Sequence, residues 1–388
     1  MRYQSLLTLF LLALGLGCLV ETPRLAAQEA KTSEGEAEEF ATADGVLLRG
    51  RFHPTQKGSP GSEPTVIMMY SPGPDKDMTK GNWAEMANTL NKEGFNVFRF
   101  DWRGHGNSKT IQDPNKFWNV PAQGQPYTNP FTGPIHQSSR YLKGFNKLKL
   151  KQDISVRDFG LGYTPVLVND LAAVRVHLDQ KNDRGAANTS RIYLMAEGEA
   201  ATIAMIWMCT EWYRHDTDVL KGQVGISYNV VPPPPLIMAL KPIQVRAGET
   251  IRGAVWLSPK LANGVTQGQL TQLFDPNKQP GLRQTPMLFM YGKDDTAGKN
   301  TAINYFFNTV VKAQPHPSSS LIAVKNTLAA EIPGKLVGAA MLGNSNGVAE
   351  ERIVKYMRDI LPNTKAEVKQ REFTFPYFVD LSLFGFRF

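Results

Sequence analysis

The chain is poor in cysteine, with only Cys18 and Cys209 among its 388 residues. Cys18 lies in an N-terminal apolar run, and Cys209 lies in a predicted helix, where a free cysteine usually belongs to the core. The mature chain therefore cannot form an internal disulfide and must rely on a hydrophobic core, which its length allows. No cluster of His, Cys, Asp and Glu has the spacing of a metal site. The sequence predicts no metal ion and no cofactor.

The longest apolar run, residues 6–20, is too short and wrongly flanked for a confident membrane span. Arg2 precedes it, and a small-residue exit follows at positions 25–27, which is the pattern of a secretory signal peptide. We predict that residues 1–27 form this signal, and that the mature chain is exported to the periplasm or the extracellular space. Lipidation at Cys18 is the less favoured alternative, because the residues before it only partly match a lipoprotein signal. Membrane association is expected only if Cys18 is lipidated or the signal stays uncleaved.

The chain has fewer acidic than basic residues, and its formal net charge is +8. The densest basic cluster lies between Arg140 and Lys151, interleaved with aromatic and aliphatic residues. Such a run is typically a solvated face, although it is also compatible with an anionic polymer or a lipid surface. No nucleic-acid-binding motif accompanies the cluster, so we do not expect a nucleic-acid partner.

The order of predicted elements favours a parallel sheet. A hairpin signal at Asp44-Gly45 opens residues 38–54, and strands then alternate with helices in the βαβ rhythm of α/β proteins. The predicted strands cover 65–70, 96–102, 191–196, 253–257, 286–291 and 320–325, and the predicted helices cover 82–94, 166–178, 200–212, 301–311 and 353–361.

Two segments without a sustained period, 109–163 and 213–251, are predicted to be insertions. The first should overhang the carboxyl ends of the strands. Its aromatic residues either form a ligand wall or partner surface, or pack the loop onto the domain; they are Phe117, Trp118, Tyr127 and Phe131. The tail, 363–388, ends in alternating phenylalanines. It is expected to pack on the domain, to pair with a sheet edge or to dock a partner, with a barrel-like last strand as a remote alternative.

Four stretches of this chain, TVIMMYSPG, NVFRFDWRGHGNS, RIYLMAEGEA and PMLFMYGKDD, resemble the α/β-hydrolase family, close to its serine aminopeptidase and monoglyceride-lipase-like branch. The run from Asp101 to Ser108 is similar to the family's D-x-R-G-x-G-x-S turn. The resemblance covers residues 38–361, and we assign 28–362 to one domain. It implies a mostly parallel eight-stranded sheet flanked by helices, with the site above the carboxyl ends of the strands.

The resemblance also locates the family's catalytic positions. The G-x-S-x-G elbow matches Ala196-Glu197-Gly198-Glu199-Ala200, so Gly198 stands where the nucleophile would be. The acid position matches Asp295, which is equally compatible with a cap for the helix that follows it. The family's histidine should lie between about 326 and 342, but no histidine follows His316. His105 matches a turn histidine of the family and is expected to be a packing residue.

Prolines limit the predicted oxyanion hole. In the family, a backbone N–H just after the first parallel strand points at the developing oxyanion. Pro72 and Pro74 have no N–H to donate, so that donor is either Gly73 or missing. Three parts of the machinery thus depart from the family pattern, although the scaffold does not.

We therefore predict an exported pseudoenzyme, a non-catalytic member of the fold that binds an unknown small molecule or protein, or serves a structural role. Its cleft would be lined by Gly73, Glu197, Gly198, Glu199, Asp294 and Asp295. The alternative is an active ester or peptide hydrolase of this family. It would use a displaced nucleophile, such as Ser71, or a water activated by a carboxylate pair. Such a pair would combine Asp294 or Asp295 with Glu197 or Glu199.

Overall fold

The computed structural model describes residues 34–118, 138–144, 151–213, 226–228, 247–274, 285–311, 327–361, 377–379 and 381. The predicted signal peptide 1–27 and Cys18 lie outside these residues, as do Tyr127, Phe131 and His316. The predicted strand 320–325 also lies outside them, and so do the terminal phenylalanines of the tail.

The predicted opening hairpin is confirmed. Strands β1 (Glu36–Ala41) and β2 (Leu47–His53) are antiparallel, with Ala41 opposite Leu47 across the turn. The alternation of apolar and polar residues in this segment lets one face of the pair pack on the core while the other meets solvent.

Six further strands join β1 and β2 in a central sheet: β3 (Thr65–Met69), β4 (Asn96–Phe100), β5 (Ile192–Glu197), β7 (Ile251–Leu257), β8 (Met287–Gly292) and β9 (Leu328–Ile332). Their spatial order is β1-β2-β4-β3-β5-β7-β8-β9. The pairs β1/β2 and β2/β4 are antiparallel, and the other five pairs are parallel. This confirms the prediction of a mostly parallel eight-stranded sheet.

The central strands are buried on both faces, because helices cover the sheet. Helices α1 (Trp83–Lys92) and α7 (Val348–Ile360) contact each other, and so do α3 (Val168–Asp183) and α4 (Gly198–Tyr213). The remaining helices are α2 (Pro114–Trp118), α5 (Gln267–Leu273) and α6 (Thr296–Lys299), the last continued by a π-helical segment, Asn300–Val311. Short 3₁₀ turns occupy Ser138–Tyr141, Val156–Asp158, Thr164–Leu167, Ala247–Thr250 and Gly338–Met341.

Helix α4 is apolar on every side and almost wholly buried, as its alanine-rich, aromatic-rich sequence requires. Part of its cover comes from the tail. Strand β10 (Tyr377–Val379) pairs antiparallel with β6 (Ile226–Tyr228), and β10 also contacts α3. The described part of the tail thus packs on the domain, which was one of the predicted alternatives.

The described part of the first insertion also packs inward. The side chains of Phe117 and Trp118 belong to the hydrophobic core, and the Trp118 indole N–H donates to the Lys151 carbonyl at 2.8 Å. These two aromatics therefore follow the packing alternative and do not form a ligand wall. Within the described ranges, none of the helices combines the length and apolar character needed to cross a bilayer.

Candidate functional site at the carboxyl ends of β3 and β5

Strands β3 and β5 end level with each other at the point where the strand order reverses. Met69 pairs with Ala196, so the residues just beyond, Ser71 and Gly198, leave the sheet side by side. In open α/β sheets, ligands bind in the crevice at such a switch point. The site predicted from the sequence therefore lies where the topology favours one.

Gly198 forms a sharp turn from strand to helix. Its φ is +54°, in the left-handed region, and it is the first residue of α4. The Gly198 carbonyl accepts a hydrogen bond from the Lys260 N–H at 3.0 Å. The backbone thus makes the sharp elbow in which α/β enzymes hold a nucleophile, but glycine adopts it without strain and supplies no side chain.

Ser71 fills the space beside this elbow. A β-carbon placed on Gly198 would lie 2.8 Å from Ser71 Oγ and 3.1 Å from Ser71 Cβ. Ser71 Oγ also accepts a hydrogen bond from the Glu199 N–H at 3.2 Å. That N–H follows the nucleophile position and belongs to the first turn of α4, where donors point towards an anion. The hydroxyl of Ser71 therefore takes up a donor that an oxyanion hole would use.

Glu197 joins two loops beneath the elbow. Its Oε1 accepts from the Ser71 N–H at 3.1 Å, and its Oε2 accepts from the Ala339 N–H. The side chain is buried, being only 8% exposed. The loop after β9, which contains Ala339, is the one expected to carry a catalytic histidine. Here a buried carboxylate of β5 holds it instead.

The N–H of Gly73, one of the two alternatives considered for the oxyanion donor, already has a partner in the chain. Its N–H donates to His105 Nε2 at 3.0 Å, and His105 Nδ1 lies 2.9 Å from the Arg103 carbonyl. Because a carbonyl only accepts, Nδ1 carries the proton and the imidazole is neutral. Burial lowers the pKa of His105 and favours this state. His105 is thus a packing and orienting residue, as predicted, and it consumes the Gly73 N–H.

The other predicted cleft residues have separate environments. Asp295 is buried and its Oδ1 accepts from the Gly298 N–H at 2.9 Å, so it caps α6, while its Oδ2 has no partner among the described residues. Asp294 is exposed. Glu199 Oε2 accepts from the Asn263 N–H at 3.0 Å, which ties α4 to the loop after β7. No hydrogen bond or ion pair links Asp294 or Asp295 to Glu197 or Glu199 in the described residues.

The turn from Asp101 to Ser108 is held by buried polar groups. Arg103 forms ion pairs of 2.6 Å with both Asp44 and Asp170, and all three side chains are buried. Burial raises the pKa of Asp170 to about 6, although Arg103 opposes the rise. Asp101 accepts from the Met78 N–H at 2.7 Å and from the Asn107 N–H at 3.0 Å. This turn organises the loops around the site and contributes no catalytic group.

Ser258 was not singled out by the sequence analysis. It follows β7, has a φ of +42°, and its fully buried Oγ has no hydrogen-bond partner among the described residues. A non-glycine residue in the left-handed region is uncommon and marks local strain. A sequence pattern gives no sign of it, since serine is not a residue that typically adopts this conformation.

The described residues do not form a group of side chains that could bind a metal ion. They contain no group of three or more His, Cys, Asp or Glu side chains placed to hold an ion. Cys209 is buried in α4, and burial raises the pKa of its thiol, so it behaves as a core residue.

Comparison with known proteins agrees with the observed architecture. Residues 72–182 match the model of the α/β hydrolase fold family, and the eight-stranded order described above extends the likeness to the rest of the sheet. The chain has the α/β-hydrolase fold. No curated protein matches it significantly.

Several solved α/β hydrolases are similar in outline. An esterase of Pyrococcus furiosus has 14% identity and a TM-score of 0.44, with 85% of this chain and 92% of that chain covered. Est1E of Butyrivibrio proteoclasticus has 12% identity and a TM-score of 0.42, covering 84% and 99%. EstE1, a thermostable carboxylesterase cloned from a metagenomic library, has 11% identity and a TM-score of 0.45, covering 84% and 88%. Likenesses at this level carry no inference about the activity of this chain.

Within the α/β-hydrolase fold, the structure therefore brings together Ser71, Glu197, Gly198 and Glu199, and it engages Gly73 elsewhere. The described loop after β9, residues 333–342, contains no histidine. The backbone N–H groups of Ser71, Gly73, Glu199 and Ala339 all have partners within the chain.

Proposed function

We propose that this protein is a non-catalytic member of the α/β-hydrolase fold, exported from the cell, that acts by binding a small molecule or a protein. One observation supports the proposal above the others. The elbow at Gly198 has the backbone of a nucleophile site but no nucleophilic side chain. The nearby N–H groups of Glu199 and Gly73 already donate to other residues of the chain. Removing a nucleophile and its base together leaves at most a weak residual activity.

The backbone N–H donors of the site are a second ground for this proposal. An oxyanion hole accelerates acyl transfer because its N–H groups are free to meet the charge that develops in the transition state. Here the Glu199 N–H binds Ser71 Oγ and the Gly73 N–H binds His105. Each of these contacts would have to break before the group could stabilise an oxyanion, so the gain in the transition state would be largely lost.

A second candidate, an ester or peptide hydrolase with a displaced nucleophile, is favoured by one observation. Ser71 Oγ lies at the elbow and on the N–H of the first turn of α4. A serine needs a base to become a nucleophile, and His105 already accepts from Gly73. Both carboxylate oxygens of Glu197 are likewise engaged, each by a backbone N–H group.

The deciding experiment is labelling of the purified mature protein with a fluorophosphonate, together with hydrolysis of short- and medium-chain aryl esters. The variants are Ser71→Ala, Asp295→Ala and, as a matched control, the half-buried loop serine change Ser190→Ala. We expect the wild-type chain to show neither fluorophosphonate labelling nor ester hydrolysis. Turnover that Ser71→Ala or Asp295→Ala abolishes, and Ser190→Ala preserves, would establish the hydrolase instead.

Export is tested separately. Expression of the full chain with a C-terminal tag, followed by fractionation and N-terminal sequencing, is expected to give an exported protein that starts near Gln28. A diacylglyceryl-modified N-terminal Cys18 would replace that proposal with a lipid-anchored protein.

A further inference from the structure

The loop after β3 leaves the sheet at Ser71, beside the elbow, and is anchored again at Met78. The Ser71 N–H donates to Glu197 at 3.1 Å, and the Met78 N–H donates to Asp101 at 2.7 Å. Between these two anchors, residues 74–76 are exposed to solvent. The position of this stretch therefore depends on whatever further contact it makes with the fold.

The Gly73 N–H supplies that contact, by donating to His105 Nε2 at 3.0 Å. Pro72 and Pro74, on either side, have no N–H to donate. The other hydrogen bonds and ion pairs of the segment join residues of the same loop. In the described part of the chain, the bond from Gly73 to His105 is thus the one hydrogen bond that ties residues 72–77 to another element.

The conformation that this bond holds has a cost of its own. Asp75 has a φ of +57°, in the left-handed region that few residues other than glycine adopt. Such a backbone persists only where its surroundings fix it. The Asp75 carbonyl accepts a hydrogen bond from the Lys80 side chain, which is part of the same loop. We therefore expect the segment to change conformation when its bond to the fold is lost.

The acceptor in this bond is a ring nitrogen, and protonation would abolish it. His105 Nδ1 lies 2.9 Å from the Arg103 carbonyl, so Nδ1 carries the proton and Nε2 offers a lone pair to Gly73. A second proton would occupy Nε2 and face the Gly73 N–H, and two donors cannot form a hydrogen bond. The ring is buried and packs edge-on against Tyr70 and Phe159, with centroids 6.2 and 5.9 Å away.

The elements packed around the imidazole also carry charged groups. They are Asp101, Arg103 and Lys109 on its own turn, Tyr70 after β3, Asp75, Lys76 and Asp77 on the loop, and Arg157 and Asp158 beside Phe159. The Arg103 guanidinium is compensated by two carboxylates. Burial lowers the pKa of His105 and Lys109 adds to this, although the Arg103 carbonyl and Asp101 oppose it. The closed loop thus favours the neutral ring, and an opened loop binds the proton more tightly.

We propose that the hydrogen bond from the Gly73 N–H to His105 Nε2 is an acid-sensitive latch on the loop after β3. At neutral pH the latch holds residues 72–77 closed. Uptake of a proton at Nε2 breaks it, and the segment opens between its anchors at Ser71 and Met78. The latch rests on these contacts alone. Its consequence, that access to the elbow changes with pH, rests on the proposed binding function.

The first test determines the state of the ring in the purified mature protein, by NMR of ¹⁵N-labelled histidine. The His105 signals are assigned as those that the His105→Gln variant lacks. At about pH 7.5 they are expected to show a proton on Nδ1 alone, and they should titrate below the ordinary histidine value of 6.5 while the fold is intact. A proton on Nε2 at about pH 7.5, or a ring that titrates only when the chain unfolds, overturns the proposal.

The second test follows the loop with a nitroxide label on Lys76→Cys, in the exposed middle of the segment. The mature chain's own Cys209 is buried and is not expected to react. The ratio of mobile to immobile label, measured by electron paramagnetic resonance, should rise by up to about ten-fold per pH unit below about pH 6.5. Circular dichroism confirms that the fold persists. A label on Lys92→Cys, exposed at the end of α1, is the matched control and should not respond.

Two variants of His105 separate the latch from other effects of acid. His105→Gln offers an amide oxygen to Gly73 and cannot be protonated, so the label at position 76 should stay immobile in acid. His105→Leu offers no acceptor, so the label should be mobile at every pH. A pH response that persists in His105→Gln, or a label that stays immobile while His105 titrates, overturns the latch. None of these readouts uses a ligand or an ester, so the latch and the proposed function can fail independently.

Discussion

At the residue scale, Gly198 and Ser71 behave as a pair. The left-handed φ of Gly198 disfavours any β-carbon, and Ser71 stands within 3.1 Å of where that carbon would be. A catalytic elbow tolerates the same φ with a serine, provided that the neighbouring loop leaves room. Here the hydroxyl of Ser71 occupies the space that a side chain at position 198 would need. The two positions should therefore be energetically coupled.

We predict that Gly198→Ala costs about 2 kcal/mol of unfolding free energy, from left-handed backbone strain and contact with Ser71 together. Gly185→Ala is the matched control, because Gly185 has a φ of +71° and open space around it. Gly185→Ala should lower the unfolding free energy by only about 1 kcal/mol, which is the contribution of the left-handed backbone strain alone. In a double-mutant cycle measured by urea unfolding, Ser71→Gly should recover the difference. A coupling energy near zero would contradict the pairing of Ser71 with Gly198.

His53, the last residue of β2, is fully buried. Arg99 donates to its Nε2, and its Nδ1 has no partner in the described residues. Burial, with a contribution from Arg99, lowers the pKa of His53 to about 3. The unfolded chain has a histidine pKa near 6.5 and binds this proton first. Above about pH 6.5 His53 is neutral in both states and does not lower the unfolding free energy. As the pH drops from 6.5 towards 3, only the unfolded chain binds the proton, so the unfolding free energy falls.

Between pH 6.5 and pH 5 this loss amounts to about 2 kcal/mol. His53→Gln keeps an acceptor for Arg99 and cannot be protonated. We expect its unfolding free energy, measured by denaturant titration at both pH values, to change by about 2 kcal/mol less than that of the wild type. Equal pH dependence in both proteins would show that His53 is not the group responsible.

At the scale of elements, Glu197 connects three of them: strand β5, the loop after β3 and the loop after β9. The hydrogen bonds span 126 and 142 residues of sequence. Glu197→Ala would leave the Ser71 and Ala339 N–H groups without their acceptor. Each such group costs about 1–3 kcal/mol when buried and unsatisfied.

We therefore predict that Glu197→Ala lowers the unfolding free energy by about 2–4 kcal/mol, and that amide exchange speeds up at both loops. Glu199→Ala is the matched control. The Glu199 carboxylate accepts one exposed hydrogen bond, from the Asn263 N–H, so the loss of this side chain should cost less than about 1 kcal/mol. If the Ser71 and Ala339 amides exchange in Glu197→Ala as slowly as in the wild type, the carboxylate does not hold these loops.

The same element shows how far the sequence could predict the site. Strand patterns placed Gly198 at a strand-to-helix turn, and Pro72 and Pro74 indicated a poor oxyanion hole. The partners of Glu197 and Gly73 could not be predicted, because they come from loops distant in sequence whose spacing depends on the packed sheet. The last strand of the eight-stranded sheet, LAAEI at β9, carries little of the hydrophobic pattern that identifies buried strands. The sequence therefore favoured an earlier segment, which lies outside the described residues.

At the scale of the whole molecule, the two-stranded unit of β6 and β10 completes the core over α3 and α4. The Tyr377 hydroxyl donates to the Glu211 carboxylate at 2.6 Å, and it accepts a hydrogen bond from the Trp207 indole N–H at 3.3 Å. Asn169 accepts from the Val379 N–H at 2.6 Å. These groups are buried, so polar contacts as well as apolar packing hold the described part of the tail on α3 and α4.

The same substitution, tyrosine to phenylalanine, should consequently change the unfolding free energy differently at two buried positions. Tyr377→Phe removes a donor from the buried carboxylate of Glu211 and is expected to lower the unfolding free energy by about 1–3 kcal/mol. Tyr356→Phe removes a hydroxyl without a partner among the described residues, and it is expected to leave stability equal or raised. Urea unfolding followed by tryptophan fluorescence measures both, since Trp207 lies at the Tyr377 hydroxyl. If Tyr377→Phe is as stable as Tyr356→Phe, the polar contacts of the tail do not hold it, and apolar packing alone fixes β10 on α3 and α4.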